Sequence, residues 1–320
     1  MALVAFRASA QSLDQFTSMP DYIRALLIVP GVAQIYLGQP EGYTYLALGT
    51  PTLAAGVGLL SWYLAGAKTD ADEWKMDSGL LLQDVGVSFE GYSVWAYLRD
   101  YEDAAGYVGP RKGRESYLQL LTAPYDPGIS LDYRAIPIVG LELAAFLSPD
   151  TLATMGAYFQ RGTVSFAGLA MSPWAGLTLE TAFALAVNLF VATAEETIFR
   201  GIALERLGPG WTAVLFGAVH IPNILTYQTI DAESITQVAL QSAFATLAGY
   251  YLSVVTVDKG YDFRTAIAYH YWHNVVAMIT GFLYDQGKAA STGGSGSSSS
   301  GLSIGFSPAD LELTISIPLG

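Results

Sequence analysis

The sequence predicts an all-α protein, a polytopic membrane helical bundle of about seven transmembrane helices with a short β-prone C-terminal tail. Three observations lead to this fold class. The 320-residue chain is 52% hydrophobic and only 13% charged, whereas soluble domains are closer to a quarter charged. Its mean hydropathy is +0.37, and apolar runs long enough to cross a bilayer recur along it. Basic residues collect in alternate connections between these runs.

Seven apolar segments have lengths near the roughly twenty residues that a membrane helix needs. They are 22–38, 43–67, 133–149, 176–195, 211–227, 235–257 and 264–284. Pro30, Pro51 and Pro137 interrupt the first three, and Glu142 lies inside the third. Proline is tolerated in membrane helices more than in soluble ones, so all seven are predicted to span.

The distribution of basic residues predicts the orientation. Seven of them (Lys68, Lys75, Arg99, Arg111, Lys112, Arg114 and Arg134) lie between the second and third segments, and four others (Arg200, Arg206, Lys259 and Arg264) follow the fourth or sixth. The connections 39–42 and 228–234 have none, and 150–175 has only Arg161. The positive-inside rule therefore predicts a multi-pass protein of the cytoplasmic (inner) membrane, with its N-terminus inside and its C-terminus outside.

The same pattern divides the chain into five regions. We expect an N-terminal region with a transmembrane hairpin (1–67), a cytoplasmic or interfacial connector suited to amphipathic helices (68–132), a further membrane helix and loop (133–175), a core (176–284), and a Gly/Ser linker with an extracytoplasmic tail (285–320). The tail segment 302–320 includes "LELTISI", which alternates as a short strand does. It is either frayed or in contact with an extracytoplasmic partner.

Composition also excludes several functions. The chain has no cysteine, so it forms no disulfide and uses no thiol nucleophile. Its net charge of −13 and pI near 4.5 argue against a nucleic-acid partner, which requires a basic surface. The lipid bilayer is the predicted partner.

Two adjacent acids end the fourth apolar segment, in "AEETIFRG". Glu196 and Arg200 have the i, i+4 spacing and order that favour a helical ion pair. Glu195 points about a quarter-turn away, so it is left to face another neighbour. Paired and unpaired carboxylates have different proton affinities, which is how acid and base roles are divided. Alone, the motif is equally consistent with an ion pair where the helix leaves lipid.

All three histidines of the chain lie in apolar stretches after this motif. Phe216 and His220 share a helix face, as do His270 and Asn274, while His273 lies about 100° away from Asn274. Ionisable residues inside a membrane are by default functional candidates. The predicted topology places these groups around a cavity that opens to the cytoplasm.

Three motifs together resemble those of one family. "EETIFR", "FGAVH" and "HYWHN" match, in order, the E-E-x-x-x-R, F-x-x-x-H and H-x-x-x-N/B motifs of the CPBP family of CAAX-processing and bacteriocin-processing intramembrane proteases, also called Abi. The resemblance covers about 176–284. It implies a helical membrane bundle with the active-site cavity between its helices, and a peptide or membrane-protein substrate.

The resemblance also implies roles for individual residues. Glu195 and His220 resemble the pair that activates a water, and His270 and Asn274 resemble the groups that hold the oxyanion. Glu196 and Arg200 resemble the supporting pair. His273 matches no motif residue and is expected, with Phe216, to pack beside these groups.

Two alternatives remain open at this stage. A zinc-dependent peptidase could use the histidines and a glutamate as ligands, although the helical H-E-x-x-H signature is absent; we predict no cofactor and no metal ligands, with a divalent metal such as zinc as the alternative. A non-proteolytic immunity or regulatory membrane protein could keep the same scaffold. A proton-coupled transporter is disfavoured because the chain has no inverted repeat.

Overall fold

Helices make up almost all of the structure, a computed structural model that describes residues 12–66, 72–107, 115–138, 140, 144, 147, 149–227 and 230–291. The α-helices are α1 (Leu13–Thr17), α2 (Asp21–Ala25), α3 (Val32–Tyr36), α4 (Glu41–Ala65), α5 (Glu73–Ala104), α6 (Tyr117–Leu121), α7 (Pro127–Ser130), α8 (Pro149–Phe159), α9 (Pro173–Glu196), α10 (Leu204–Ala218), α11 (Ala232–Asp258) and α12 (Arg264–Ser291). A π-helix, Thr197–Ala203, joins α9 to α10. Three 3₁₀ segments are Ala123–Tyr125, Tyr133–Ala135 and Ile221–Thr226.

A small antiparallel hairpin precedes α9 and was not predicted. Its strands are β1 (Val164–Phe166) and β2 (Leu169–Met171). Ala167 and Gly168 connect them with φ of 49° and 78°, which is the positive-φ pair of a tight hairpin turn. The strand that we predicted in the tail, 302–320, lies outside the described residues.

Three segments are long and apolar enough to cross a membrane within the part of the chain that the structure describes. They are Glu41–Ala65, the continuous run Pro173–Leu225 and Ser234–Asp258, and they overlap four of the seven predicted segments. The predicted segment 264–284 is helical in α12 but is not among these three. Its first three turns carry Arg264, His270, His273 and Asn274. The prediction of seven spans is therefore not confirmed.

The prediction of a span at 22–38 is wrong. This stretch holds only α2 and α3, which have five residues each. Pro30 and Gly31 separate them, and Gly31 has the left-handed φ of 81° that ends helical continuity. Its backbone N–H donates to Ser93 Oγ at 2.9 Å, so α3 is tied to the side of α5 instead of crossing a bilayer.

Residues 73–104 form one long helix, where we expected amphipathic helices of a connector. α5 has 32 residues and packs antiparallel along α4. A Cβ placed on Gly56 would lie 2.3 Å from Gln83 N, and one on Gly79 would lie 2.9 Å from Leu60 Cγ. Small residues thus let the two backbones approach, as they do in membrane helix pairs.

The other side of α5 packs parallel to α9. Gly91 of α5 faces Ala194 and Ile198, and Trp95 lies against Gly201 in the π-helix. Contacts therefore advance in the same direction along both helices. As a result, α5 and α9 end on the same side of the bundle, where α4 begins.

The predicted span 133–149 has most of its centre outside the described residues, but its flanks lie at opposite ends of the α11–α12 pair. Arg134 Nη2 is 2.9 Å from Asp258 Oδ2 at the end of α11. Thr154 of α8 contacts Gly287 near the end of α12. A Cβ placed on Gly287 would lie only 2.0 Å from the Thr154 carbonyl oxygen. Arg134 and Thr154 therefore lie at opposite ends of the bundle, as the two flanks of a span would.

The α4–α5 contact gives a first testable prediction. Gly56→Ala is expected to lower the free energy of unfolding by about 1–3 kcal/mol, because the added methyl group meets backbone atoms that cannot move aside. Gly58→Ala is the matched control, since nothing lies within 4 Å of its Cβ position among the described atoms. Thermal unfolding in detergent measures both. Equal melting temperatures for the two variants would contradict the close approach.

An ionic cluster outside the membrane helices gives a second prediction. Asp132 accepts hydrogen bonds from Lys259 Nζ and from the Arg134 backbone N–H, and these donors lower its pKa from 3.8 to about 2. Because folding lowers the pKa of Asp132, its carboxylate stabilises the folded state. This stabilisation is complete above the pKa of the unfolded chain and is lost as the pH falls towards 2. We expect Asp132→Asn to lower the melting temperature at pH 7 and to have a smaller effect at pH 2.5. If the melting temperatures of the wild type and the variant differed equally at both pH values, the stabilisation would not come from the charge of Asp132.

Candidate active site

The end of α9 buries an acid–arginine pair. Glu196 is 0% exposed and Arg200 is 1% exposed, and Arg200 Nη1 donates to Glu196 Oε1 at 2.9 Å. This is the i, i+4 pair that the spacing predicts. Arg200 Nη2 donates to the Gly249 carbonyl oxygen of α11 at 2.8 Å, so the pair also fixes α11 against the π-helix. π-helical turns are frequent at functional sites.

His270 of α12 lies between the two glutamates. Its Nδ1 is 2.8 Å from Glu196 Oε1, and its Nε2 is 3.8 Å from Glu195 Oε2. A carboxylate oxygen can only accept, so Nδ1 carries a hydrogen and donates it when Glu196 is ionised. One carboxylate oxygen of Glu196 therefore receives both the guanidinium and the imidazole, and Glu195 faces the other ring nitrogen.

Glu195 is placed differently from its neighbour. Its side chain is 28% exposed, whereas that of Glu196 has no exposed surface. Its Oε2 atom is buried, with no hydrogen-bond partner among the described residues. A partly exposed carboxylate that makes no hydrogen bond is available to act on a small molecule such as water.

Phe216 links the histidines. Its ring meets those of His220 and His270 edge-on, with centroids 5.2 Å and 5.6 Å away, and the Arg200 guanidinium carbon lies 4.4 Å from its centroid. His220 Nδ1 is 2.7 Å from the Phe216 carbonyl oxygen, so Nδ1 is the protonated nitrogen. Neutral His220 then keeps its lone pair on Nε2, where it can accept a proton.

Asn274 follows His270 by one turn of α12. Its Nδ2 atom is buried and without a hydrogen-bond partner in the described part of the chain. A buried amide N–H that lacks an acceptor is costly, and it is available to an incoming oxygen. His273 instead stacks on Phe244 of α11, with centroids 5.6 Å apart.

Residues on both sides of His270 anchor this part of α12. Tyr271 Oη lies 2.6 Å from Tyr125 Oη, and Trp272 Nε1 donates to the Pro124 carbonyl oxygen at 3.1 Å. Tyr269 Oη donates to the Asp132 carbonyl oxygen at 3.1 Å. The segment before the third predicted span therefore holds the backbone of the His270 turn in place.

The structure thus brings six of the eight candidate residues into one cluster and places Asn274 one turn along α12. His273 lies with α11, away from the acid pair. Sequence reasoning missed Gly249, whose carbonyl oxygen accepts from Arg200. No sequence signal could have revealed it, because every residue has such a carbonyl group.

The cluster does not supply a ready set of metal ligands. Among the described residues, no group of three or more His, Asp or Glu side chains is arranged to hold a metal ion. His270 directs both ring nitrogens towards carboxylates, whereas a zinc ligand must offer one nitrogen lone pair to the metal.

Fold and site together define a class: a multi-pass helical membrane protein with a buried cluster of glutamate, histidine and arginine where α9, α10, α11 and α12 meet. Residues 177–276 match a family model described as Type II CAAX prenyl endopeptidase Rce1-like, about a third of the chain. Over these residues the chain is similar to the family of CAAX-processing proteases that its three motifs resemble. Comparison with curated proteins and with solved structures found no match.

Proposed function

We propose that this protein is an intramembrane endopeptidase that hydrolyses a peptide bond with a water activated by Glu195 and His220. The position of His270 between Glu195 and Glu196 is the observation that carries the proposal. Glu196 is held by both Arg200 and His270, whereas Glu195 makes no hydrogen bond to a described residue and its side chain is 28% exposed. The match to an endopeptidase family supports the reaction class.

Attack on the peptide carbonyl requires removal of a proton from water. Glu195 Oε2 accepts this proton and returns it to the leaving amine, as a general base and then a general acid. His220 contributes Nε2 as a hydrogen-bond acceptor for the same water, because the Phe216 carbonyl oxygen holds its Nδ1–H. The substrate carbonyl would lie between this pair and α12.

The developing oxyanion requires hydrogen-bond donors on its other side. Asn274 offers its buried Nδ2, and His270 offers Nε2–H in its imidazolium form. With that form, two carboxylates, one guanidinium and one imidazolium sum to zero charge, which a buried cluster requires to avoid a large desolvation cost. Each such donor typically contributes about 3 kcal/mol to lowering the barrier.

The helix directions support a revised membrane topology with seven crossings, in which α5 replaces 22–38. α4 leads away from the active-site end, α5 returns to it, and α9 ends there in parallel with α5. Arg99, Arg134 and Arg264 then lie at that end, so the positive-inside rule still places it in the cytoplasm. This topology retains an N-terminus inside, a C-terminus outside and a cavity that opens to the cytoplasm.

A cleavage assay on the purified full chain in lipid nanodiscs tests the proposed function. Peptide libraries, including C-terminal CAAX sequences with and without a prenyl group, would be incubated with and without a chelator, and cleavage sites read by mass spectrometry. Cleavage that resists the chelator is the expected result. Cleavage abolished by the chelator would instead support the zinc-dependent alternative, and no cleavage of any peptide would support a non-proteolytic role.

A further inference from the structure

Asp84 lies on the face of α5 that packs against α9. It precedes Gly91 by seven residues, which is two helical turns, so both residues share one face. Gly91 contacts Ala194, the residue before Glu195. Seven residues before Ala194 is Val187, a fully buried side chain. Asp84 is therefore directed into the α5–α9 seam at the level of an apolar residue, about two turns deeper in the bundle than Glu195.

In the part of the chain that the structure describes, no basic side chain neutralises the carboxylate of Asp84. Its Oδ2 atom is buried without a hydrogen bond to any described residue. Glu195 is the charged group that acts on it, and no basic side chain within the described ranges does so. The other charges of the cluster already sum to zero when His270 is protonated, so Asp84 adds an acid for which the described residues supply no counter-charge.

An unpaired acid in a membrane helix is expensive and usually has a function. A cationic group that enters the cavity would replace the missing counter-charge and would bind more strongly there than in water. We propose that Asp84 forms an acidic subsite, continuous with the catalytic cavity, that binds a basic side chain of the substrate. This inference rests on the proposed peptidase function and narrows its substrate to peptides with a lysine or arginine near the scissile bond.

The distance between Asp84 and Glu195 sets how far from the cleaved bond the basic residue of the substrate would lie. Two turns of helix correspond to about 11 Å along the axis, and an extended peptide covers about 3.3 Å per residue. The extended lysine side chain itself covers part of that distance. We therefore expect the basic residue two to four positions from the bond that is cleaved.

Paired peptides test the subsite in the wild-type protein and in Asp84→Asn. The two peptides of a pair are identical except at one position, which is lysine in one and glutamine in the other. This position is moved in turn to each of the four residues on either side of the cleavage site. We expect the wild type to cleave the lysine peptide with at least about tenfold higher kcat/KM at one of these positions, as desolvated charge pairs support. In Asp84→Asn, which keeps the side-chain shape, the kcat/KM values for the lysine and glutamine peptides should differ by no more than about twofold.

Glu180→Gln is the matched control, since Glu180 is a buried acid at the far end of α9 and lies about four turns from Glu195. It should keep the wild-type ratio. A ratio near one in the wild type, or the same ratio in Asp84→Asn as in the wild type, would overturn the subsite.

If the wild type cleaves no peptide, the peptidase proposal fails, and binding of the same peptides, measured by thermal shift, still decides the subsite. Stronger binding of lysine than glutamine peptides that is lost in Asp84→Asn would support it, and equal binding would refute it.

Discussion

Glu195→Gln is expected to lower kcat for peptide cleavage by about 10²–10⁴-fold, the usual contribution of a general base. Glutamine keeps the size of the side chain but cannot take a proton from water. Because Glu195 is 28% exposed and makes no ion pair with Arg200, the substitution should lower the melting temperature less than Arg200→Met does. Single-turnover cleavage and thermal unfolding of the same preparation measure both effects.

Glu180→Gln controls for this change, because it makes the same substitution in the same helix, also at a largely buried position. It should retain wild-type kcat. If Glu195→Gln cleaved as fast as Glu180→Gln, then Glu195 would not be the base, and Glu196 would become the remaining acid at the site.

Arg200→Met is expected to lower the free energy of unfolding by about 3–5 kcal/mol, as removal of one partner from a buried ion pair does. The substitution leaves the Glu196 carboxylate without a guanidinium and the Gly249 carbonyl oxygen without its donor. Glu196 would then interact more strongly with His270, so cleavage should also fall. Denaturation in mixed detergent with a rising fraction of sodium dodecyl sulfate measures the stability.

Arg206→Met is the matched control for Arg200→Met. Arg206 pairs with Glu102 on the surface, with its side chain 41% exposed, and such pairs contribute about 0–1 kcal/mol. Comparable losses of stability in the two variants would show that the Arg200 pair is not buried in the folded protein.

Local spacing in the sequence predicts much of the candidate site. The i, i+4 relations of Glu196 with Arg200 and of Phe216 with His220 depend only on helical geometry, and both contacts are present. The contact of His270 with Glu196 joins residues 74 positions apart. Helix periodicity carries no information about such a contact, so the sequence placed these groups near one another without showing which of them pair.

The fold was predicted less well where composition and local chemistry disagree. α5 carries acids, Lys75 and Arg99 among its aromatic residues, so hydropathy indicated surface helices of a connector where the structure has one helix of 32 residues. The glycines that bring it against α4 act through tertiary packing, which a hydropathy average cannot detect. Conversely, 22–38 is apolar enough to resemble a span, but Pro30 and Gly31 end its helices within a few residues.

The π-helix Thr197–Ala203 makes the site sensitive to chain length. A π-turn contains about one residue more than an α-turn, and one residue corresponds to a rotation of about 100°. The acids lie before this register step, and the chain that leads to His220 lies after it. A relative that has lost one residue after Arg200 in this turn would still contain every motif. The helix that leads to its second-motif histidine would nevertheless be rotated relative to the two acids. Homologues should therefore be judged by the number of residues between the motifs as well as by the motifs themselves.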